Sequence, residues 1–291
     1  MNERALSQLL VVGLPGAGKT TFLAALWHLA ESAEIQCSLV VSRYHGDREH
    51  LNRIRDEWLK FRQLARTGLV DEQSVSMKLV PRGGGPEVEV VFPDMSGESF
   101  TLQWTERRWT QEYSRLVSRA AGVLLFVHPD RVVEPVRIDQ ADPLVAELPE
   151  VPEPPTDGRL EQAADWDPSK APTQVQLVEL LQFICEHPVK KRFRIGIIIS
   201  AWDLVRDSGV RPEEWVGQRL PLLLQYLRAN SDSYRYRAFG VSAQGGDLPK
   251  DSARLQRRTR PSERVEVIGP DCGRHDLTAV VAWVMGSAST D

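Results

Sequence analysis

The segment VVGLPGAGKTTFLAAL, residues 11–26, joins an apolar run to a stretch of helical period through three glycines, a proline and a single lysine. Gly and Pro both interrupt regular structure, so a junction made of them needs a reason beyond propensity. Gly13, Leu14, Pro15, Gly16, Ala17, Gly18, Lys19 and Thr20 match the spacing G-x-x-x-x-G-K-[ST], placed after a strand and before a helix. Phosphates are large anions that a chain holds by turning several backbone N–H groups inward; glycines permit that curvature, and the positive end of the next helix adds to the attraction. Lys19 is the candidate for the β- and γ-phosphates, the Thr20 hydroxyl for a Mg²⁺ ion, and Thr21 is counted with the binding loop. The bland alternative is a glycine-rich turn.

Around that segment, apolar runs rich in Val and Ile alternate with helical periodicity, which predicts an α/β fold with a mostly parallel sheet and helices on both faces. The predicted strands are 8–12, 36–41, 74–80, 87–92, 122–128, 193–200 and 236–242; the predicted helices are 19–30, 48–64, 99–119, 173–187, 212–229 and 275–285. The turn cluster PRGGGP, residues 81–86, marks an antiparallel hairpin, and the other strands are expected to pair in parallel. We read residues 1–291 as a single domain with two insertions: a helical one near 43–72 and a Pro- and acid-rich one at 130–172, which holds too little apolar material for a core and is expected to be mobile.

Composition sets the wider bounds. With 291 residues, 42% hydrophobic and 26% charged, the chain matches an ordinary globular protein. A net charge of -4 gives no general reason to expect nucleic acid as a partner. The longest apolar runs are strand-sized, so no membrane span is expected. The N-terminus shows no charged leader with a cleavage site, and the 3 cysteines are odd in number without metal-like spacing, so a cytoplasmic location is the expectation.

Three later segments select among phosphate-loop chemistries. EVEVVFPDMSGE, residues 87–98, carries an alternating strand to Asp94, with Gly97 three residues on. An acid there can hold Mg²⁺ through water, and a glycine there lets its N–H approach a γ-phosphate. FRIGIIISAWDLV, residues 193–205, ends a buried strand in Ser200, Ala201, Trp202 and Asp203. A carboxylate at Asp203 can accept from N1 and the exocyclic N2 of guanine, which adenine cannot match. FGVSAQGG, residues 239–246, offers Ser242 and Ala243, whose backbone N–H could meet the guanine O6.

In this order the four segments resemble the translation-factor-like, Ras-like branch of P-loop GTPases over nearly the whole chain apart from the insertions. The pairing of DMSGE with the Trp-rich LQWTERRWTQEY is similar to the bacterial double-GTPase families associated with conflict systems. The resemblance implies GTP/GDP and Mg²⁺ as cofactors and a molecular switch that hydrolyses GTP, working through a protein effector or companion, with a homodimer as one form of that. Nucleic acid is not an expected partner. Two departures bear on strength. Ala201 replaces a lysine whose stem packs over the purine in the family, a role that Trp202 or another aromatic could take. Glu98 stands where many relatives keep a water-positioning Gln; an ionised acid beside a γ-phosphate is repelled, so slow unaided hydrolysis is expected, and Glu98 also reads as an acid favoured at a helix N-terminus. Thr67, in LARTGLVDEQ, is the candidate first-switch ligand to Mg²⁺ and γ-phosphate, with Ser74 and Ser76 as rivals. Catalysis is thus assigned to Lys19, Glu98 and Thr67, and the metal to Thr20, Asp94 and Thr67. An ATPase or small-molecule phosphotransferase and a non-hydrolysing nucleotide-dependent scaffold stand as alternatives. Outside these motifs, Trp27 and His28 read as packing or surface residues, and Leu51, Ile54, Trp58 and Phe61 as an apolar helix face docked on the domain. The basic run at 254–264 reads as a solvated loop.

Overall fold

Strand β1 (Ser7–Gly13) is buried along nearly its whole length, as a strand covered on both faces must be. Alternate residues serve opposite cores, because successive side chains on a strand point to opposite sides. Leu9 and Val11 enter one core with Leu124, Phe126 and Ile198. Leu10 and Val12 enter the other with Leu125, Val127, Ile197 and Ile199. The computed structural model describes residues 7–43, 48–62, 75–93, 103–135, 170–185, 193–257 and 260–286.

Along the chain follow α1 (Lys19–Ser32), β2 (Leu39–Arg43), α2 (Arg48–Leu59), β3 (Val75–Pro81), β4 (Val88–Phe92), α3 (Gln111–Arg119), β5 (Ala120–Val127), α4 (Thr173–Cys185) and β6 (Phe193–Ser200). After them come α5 (Pro212–Arg219), α6 (Pro221–Ala229), β7 (Tyr234–Ser242), β8 (Glu266–Ile268) and α7 (Leu277–Val284). The eight strands form one sheet in the order β2-β3-β4-β1-β5-β6-β7-β8. Strands β4, β1, β5, β6 and β7 are mutually parallel. Helices α1, α2 and α7 supply one core, and α3 to α6 the other. The expected α/β architecture, mostly parallel with an antiparallel hairpin, is the one observed.

The departures have local causes. The hairpin β3–β4 is antiparallel as expected, with Met77 opposite Val90, but β2 also pairs antiparallel with β3 rather than in parallel. Its connection to β3 carries α2 along α1, so the chain re-enters the sheet beside the strand it left and runs back. Strand β8 was not anticipated; three residues are too few to show a period, and only its antiparallel pairing to β7 defines it. The helix expected over 212–229 is two, because Pro221 opens α6 at its first turn and leaves Leu220 at φ −135 and ψ 53. The helix expected over 99–119 is broken before Thr110, whose hydroxyl caps α3 by accepting from the Tyr113 amide at 3.1 Å.

The charged helix α2 is docked, with Leu51, Ile54 and Trp58 buried. Trp58 is fully buried and its Nε1 donates to the Ala243 carbonyl at 3.0 Å. The basic run at 254–264 is not simply solvated. The Arg264 guanidinium lies 3.5 Å over the Trp58 ring and 4.4 Å from that of Phe61, and it donates to the Trp58 carbonyl at 2.5 Å. Burial lowers the Arg264 pKa to about 10, against an opposing pull from Glu34. Arg254 donates to the Gly245 carbonyl at 3.1 Å. Replacing Trp58 with Phe removes the donor to Ala243 while keeping most of the ring. It should destabilise the protein by about 1–3 kcal/mol, measured by urea unfolding.

Candidate functional site

The C-terminal ends of the parallel strands meet at one edge of the sheet. Register places Gly13 beside Phe126, Val127 beside Ile199, and Ser200 beside Val241. The loops that follow β1, β5, β6 and β7 therefore open onto the same crevice, which is where an open α/β sheet binds its ligand. Strand β4 runs parallel to β1, with Leu10 opposite Val91, and delivers Phe92 to that edge.

The phosphate loop is tight. Gly16 and Gly18 adopt φ +75 and +90, the left-handed region that a side chain disfavours. Space excludes a side chain as well: a Cβ on Gly13 would lie 2.6 Å from the Phe126 carbonyl oxygen, and one on Gly18 would lie 3.0 Å from Ser200 Cβ and Oγ. Gly18 stands at the N-cap of α1, and the first turn contains no acidic residue. The Phe22 amide is the first to reach back along the helix, to the Gly18 carbonyl at 3.0 Å. The amides of Lys19, Thr20 and Thr21 lie in the opening turn, which has no intrahelical acceptor to offer them. A cradle of amides, sealed against side chains and free of acids in its first helical turn, fits a polyphosphate.

Lys19 is folded into this loop. Its ammonium donates to the Gly13 carbonyl at 2.7 Å and to the Leu14 carbonyl at 3.1 Å. Burial lowers its pKa from the usual 10.5 to about 8, with no acid among the described residues acting against it. A cation whose partners among the described residues are neutral carbonyls is under-compensated, and a phosphate would supply the missing charge.

At the other end of the crevice the structure brings together two segments that the sequence separates. Ser242, at the end of β7, donates its hydroxyl to Asp203 in a very short hydrogen bond, and the same hydroxyl accepts from the Gly245 amide at 3.2 Å. Ser242 is 1% exposed, so the pair fixes the Asp203 carboxylate in place. Ser200 Oγ donates to the Val127 carbonyl at 3.2 Å, and Gly18 packs against this side chain. Ala201 turns the chain at φ +46, and Ala243 is buried, its carbonyl held by Trp58. Trp202 does not face the crevice. It is 1% exposed and packed so closely on Gly240 that a Cβ there would lie 2.3 Å from the indole, so its side chain cannot provide the purine packing expected of it.

Thr67, Ser74, Asp94, Gly97 and Glu98 lie outside the described residues. Among the described residues no group of His, Cys, Asp and Glu is arranged to hold a metal. Sequence reasoning missed Arg131 and His128, and it placed Arg264 in a solvated run. Arg131 rests against Gly16 in three dimensions though far from it in the chain, and nothing in the local pattern of residues marks it. Trp104 is buried in the second core, and Trp109 meets Tyr113 edge to face at 5.0 Å, so both tryptophans of that stretch serve packing.

Sheet order and the glycine-rich loop between β1 and α1 define the phosphate-loop α/β fold class. More narrowly, the chain belongs to the Double-GTPase 1 family, whose model matches residues 10–284. Among solved structures it is similar to a bacterial selenocysteine-specific elongation factor, EF-Sec, at 12% identity and TM-score 0.39, over 86% of this chain and 28% of that one. It is also similar to the signal recognition particle receptor SRb-GTP/SRX complex from Chaetomium thermophilum, at 13% identity and TM-score 0.38, over 86% of this chain and 95% of that one. No curated protein matches. Among the described residues no helix is long and apolar enough to cross a membrane.

Lys19 makes the site sensitive to pH. Its lowered pKa means that the folded protein holds this proton less tightly than the unfolded chain. The nucleotide-free fold therefore gains stability as pH rises from about 8 towards 10.5. A bound triphosphate reverses the preference by stabilising the ammonium. Triphosphate affinity should thus fall by up to about tenfold per pH unit above pH 8, and Lys19→Met should abolish the slope. Titration calorimetry between pH 7 and 10 reads both.

Proposed function

We propose that this chain is a guanine-nucleotide-binding switch that hydrolyses GTP to GDP and phosphate with Mg²⁺, slowly when unaided. The observation that carries the reading is the Asp203 carboxylate, held by Ser242 across the crevice from the phosphate loop. So placed, it can accept two hydrogen bonds from the N1 and N2 groups of guanine, an arrangement adenine lacks. Membership of the Double-GTPase 1 family supports the same base.

In this reading Gly13, Leu14, Pro15, Gly16, Ala17 and Gly18 surround the phosphates, and Lys19 leaves the loop carbonyls for the β- and γ-phosphates. There its charge and the loop amides stabilise the transferring group. The Thr20 hydroxyl holds Mg²⁺, with Asp94 and Thr67 as its further ligands and Gly97 as the γ-phosphate sensor. Glu98 repels the γ-phosphate when ionised, which is the reason for slow turnover. Whether the γ-phosphate is present then sets the conformation a protein effector or companion meets, a second copy of the chain being one such companion. Residues 1–291 act as one GTPase-like domain carrying the 43–72 and 130–172 insertions, in the cytoplasm and as part of a bacterial conflict system. Ala201, which removes a contact to the purine, favours the ATPase or phosphotransferase alternative.

Competition binding with GTP, ATP and xanthosine triphosphate separates these readings. GTP should win over ATP by at least about a hundredfold, and Asp203→Asn should move the preference to the xanthine nucleotide, whose 2-oxo group suits an amide donor. Lys19→Ala should lower triphosphate affinity about a hundredfold or more. Equal binding of ATP and GTP would overturn the guanine reading. Tight GTP binding with no phosphate release in Mg²⁺ would turn the switch into a scaffold.

A further inference from the structure

Ala201 leaves the base motif without a cation, and Trp202 is buried away from the crevice. A cation does stand at the crevice, supplied by another strand. Beyond the end of β5 the chain makes a single 3-10 turn, Pro129–Arg131. Its backbone is anchored: the Arg131 amide donates to the His128 carbonyl at 3.1 Å, and the Arg131 carbonyl accepts from the Thr173 hydroxyl at 3.4 Å.

The Arg131 guanidinium lies on the phosphate loop. A Cβ built on Gly16 would come within 2.9 Å of its Cζ and Nη1 and within 3.1 Å of its Nε. A Cβ at Gly16 would push the guanidinium out of this position. The side chain is otherwise exposed, and among the described residues no carboxylate is paired with it. A planar five-donor cation laid against an anion-binding loop, with its backbone tied and no acid of its own, is placed to meet an anion from a ligand.

His128 feels charge from both halves of the site. Burial is the main influence lowering the His128 pKa; Asp130 and Asp203 oppose it, and Arg131 adds to it. Both Arg131 and Asp203 therefore lie near enough to His128 for their charges to be felt there.

We propose that Arg131 is a nucleotide-binding residue that supplies, from the end of β5, the cation missing at Ala201, contacting the diphosphate and ribose of a nucleotide spanning Gly16 and Asp203. The inference rests on the guanine-nucleotide reading above.

The test measures GDP and GTP affinity of the full chain by titration calorimetry. Arg131→Ala should weaken both about tenfold, because the contact is made to groups the two nucleotides share, and should leave the melting temperature of the nucleotide-free protein unchanged. Arg131→Lys should keep most of the affinity. Unchanged GDP affinity in Arg131→Ala overturns the inference. So does a fall in GTP turnover with affinity intact, which would make Arg131 a group acting on the transferring phosphate alone. If wild-type protein binds ATP as well as GTP, the guanine reading fails. If wild type prefers GTP and loses GDP on Asp203→Asn but not on Arg131→Ala, only the role of Arg131 fails.

Discussion

The site depends on how closely backbone can be packed at the end of β1. Phosphate binding by amides requires the chain to curl until several N–H groups point to one spot, and a curl that tight has no room for side chains. Here the space a Cβ would take at Gly13, Gly16 and Gly18 is filled by Phe126, Arg131 and Ser200. Those neighbours come from β5, the turn after it, and β6. The loop is therefore shaped by the strands beside it as much as by its own glycines, and distorting the β1–β5–β6 register would open it.

That same packing ties binding to the rest of the domain. Ser200 touches Gly18, bonds to the end of β5, and stands three residues before Asp203. Ser242 holds Asp203, and the next residue, Ala243, is held by Trp58 of α2. Trp58 is in turn sandwiched against Arg264. The charged helix α2 has become part of the wall behind the Asp203–Ser242 pair. Burying Arg264 on an aromatic face requires compensation, and the indole ring together with the Trp58 carbonyl provides it.

Much of this was legible along the chain. The phosphate loop is contiguous, and its chemistry is local: glycine freedom, a helix start and one lysine. The seven predicted strands all exist, most of them on runs of Val, Ile and Leu, and the glycines of the PRGGGP turn announced the hairpin. The docking of α2 followed from Leu51, Ile54 and Trp58 at helical spacing. What failed to show depends on few residues or on distant neighbours. Strand β8 is too short for a period, and the break at Pro221 rests on one residue inside an otherwise continuous helical pattern. The burial of Trp202 is decided by Gly240 on the adjacent strand.

By itself, then, the sequence determined where the glycine-rich loop falls, the alternation that makes the sheet, and which residues were the candidates to read a base. Those are properties of single residues and short periods. Tertiary structure alone decided that Asp203 and Ser242 form a pair, that Trp202 belongs to the core, and that Arg131 lies on Gly16. Each of these is a contact between strand ends adjacent in the sheet but separated in the chain. Strand order, which local pattern does not specify, brings them within reach.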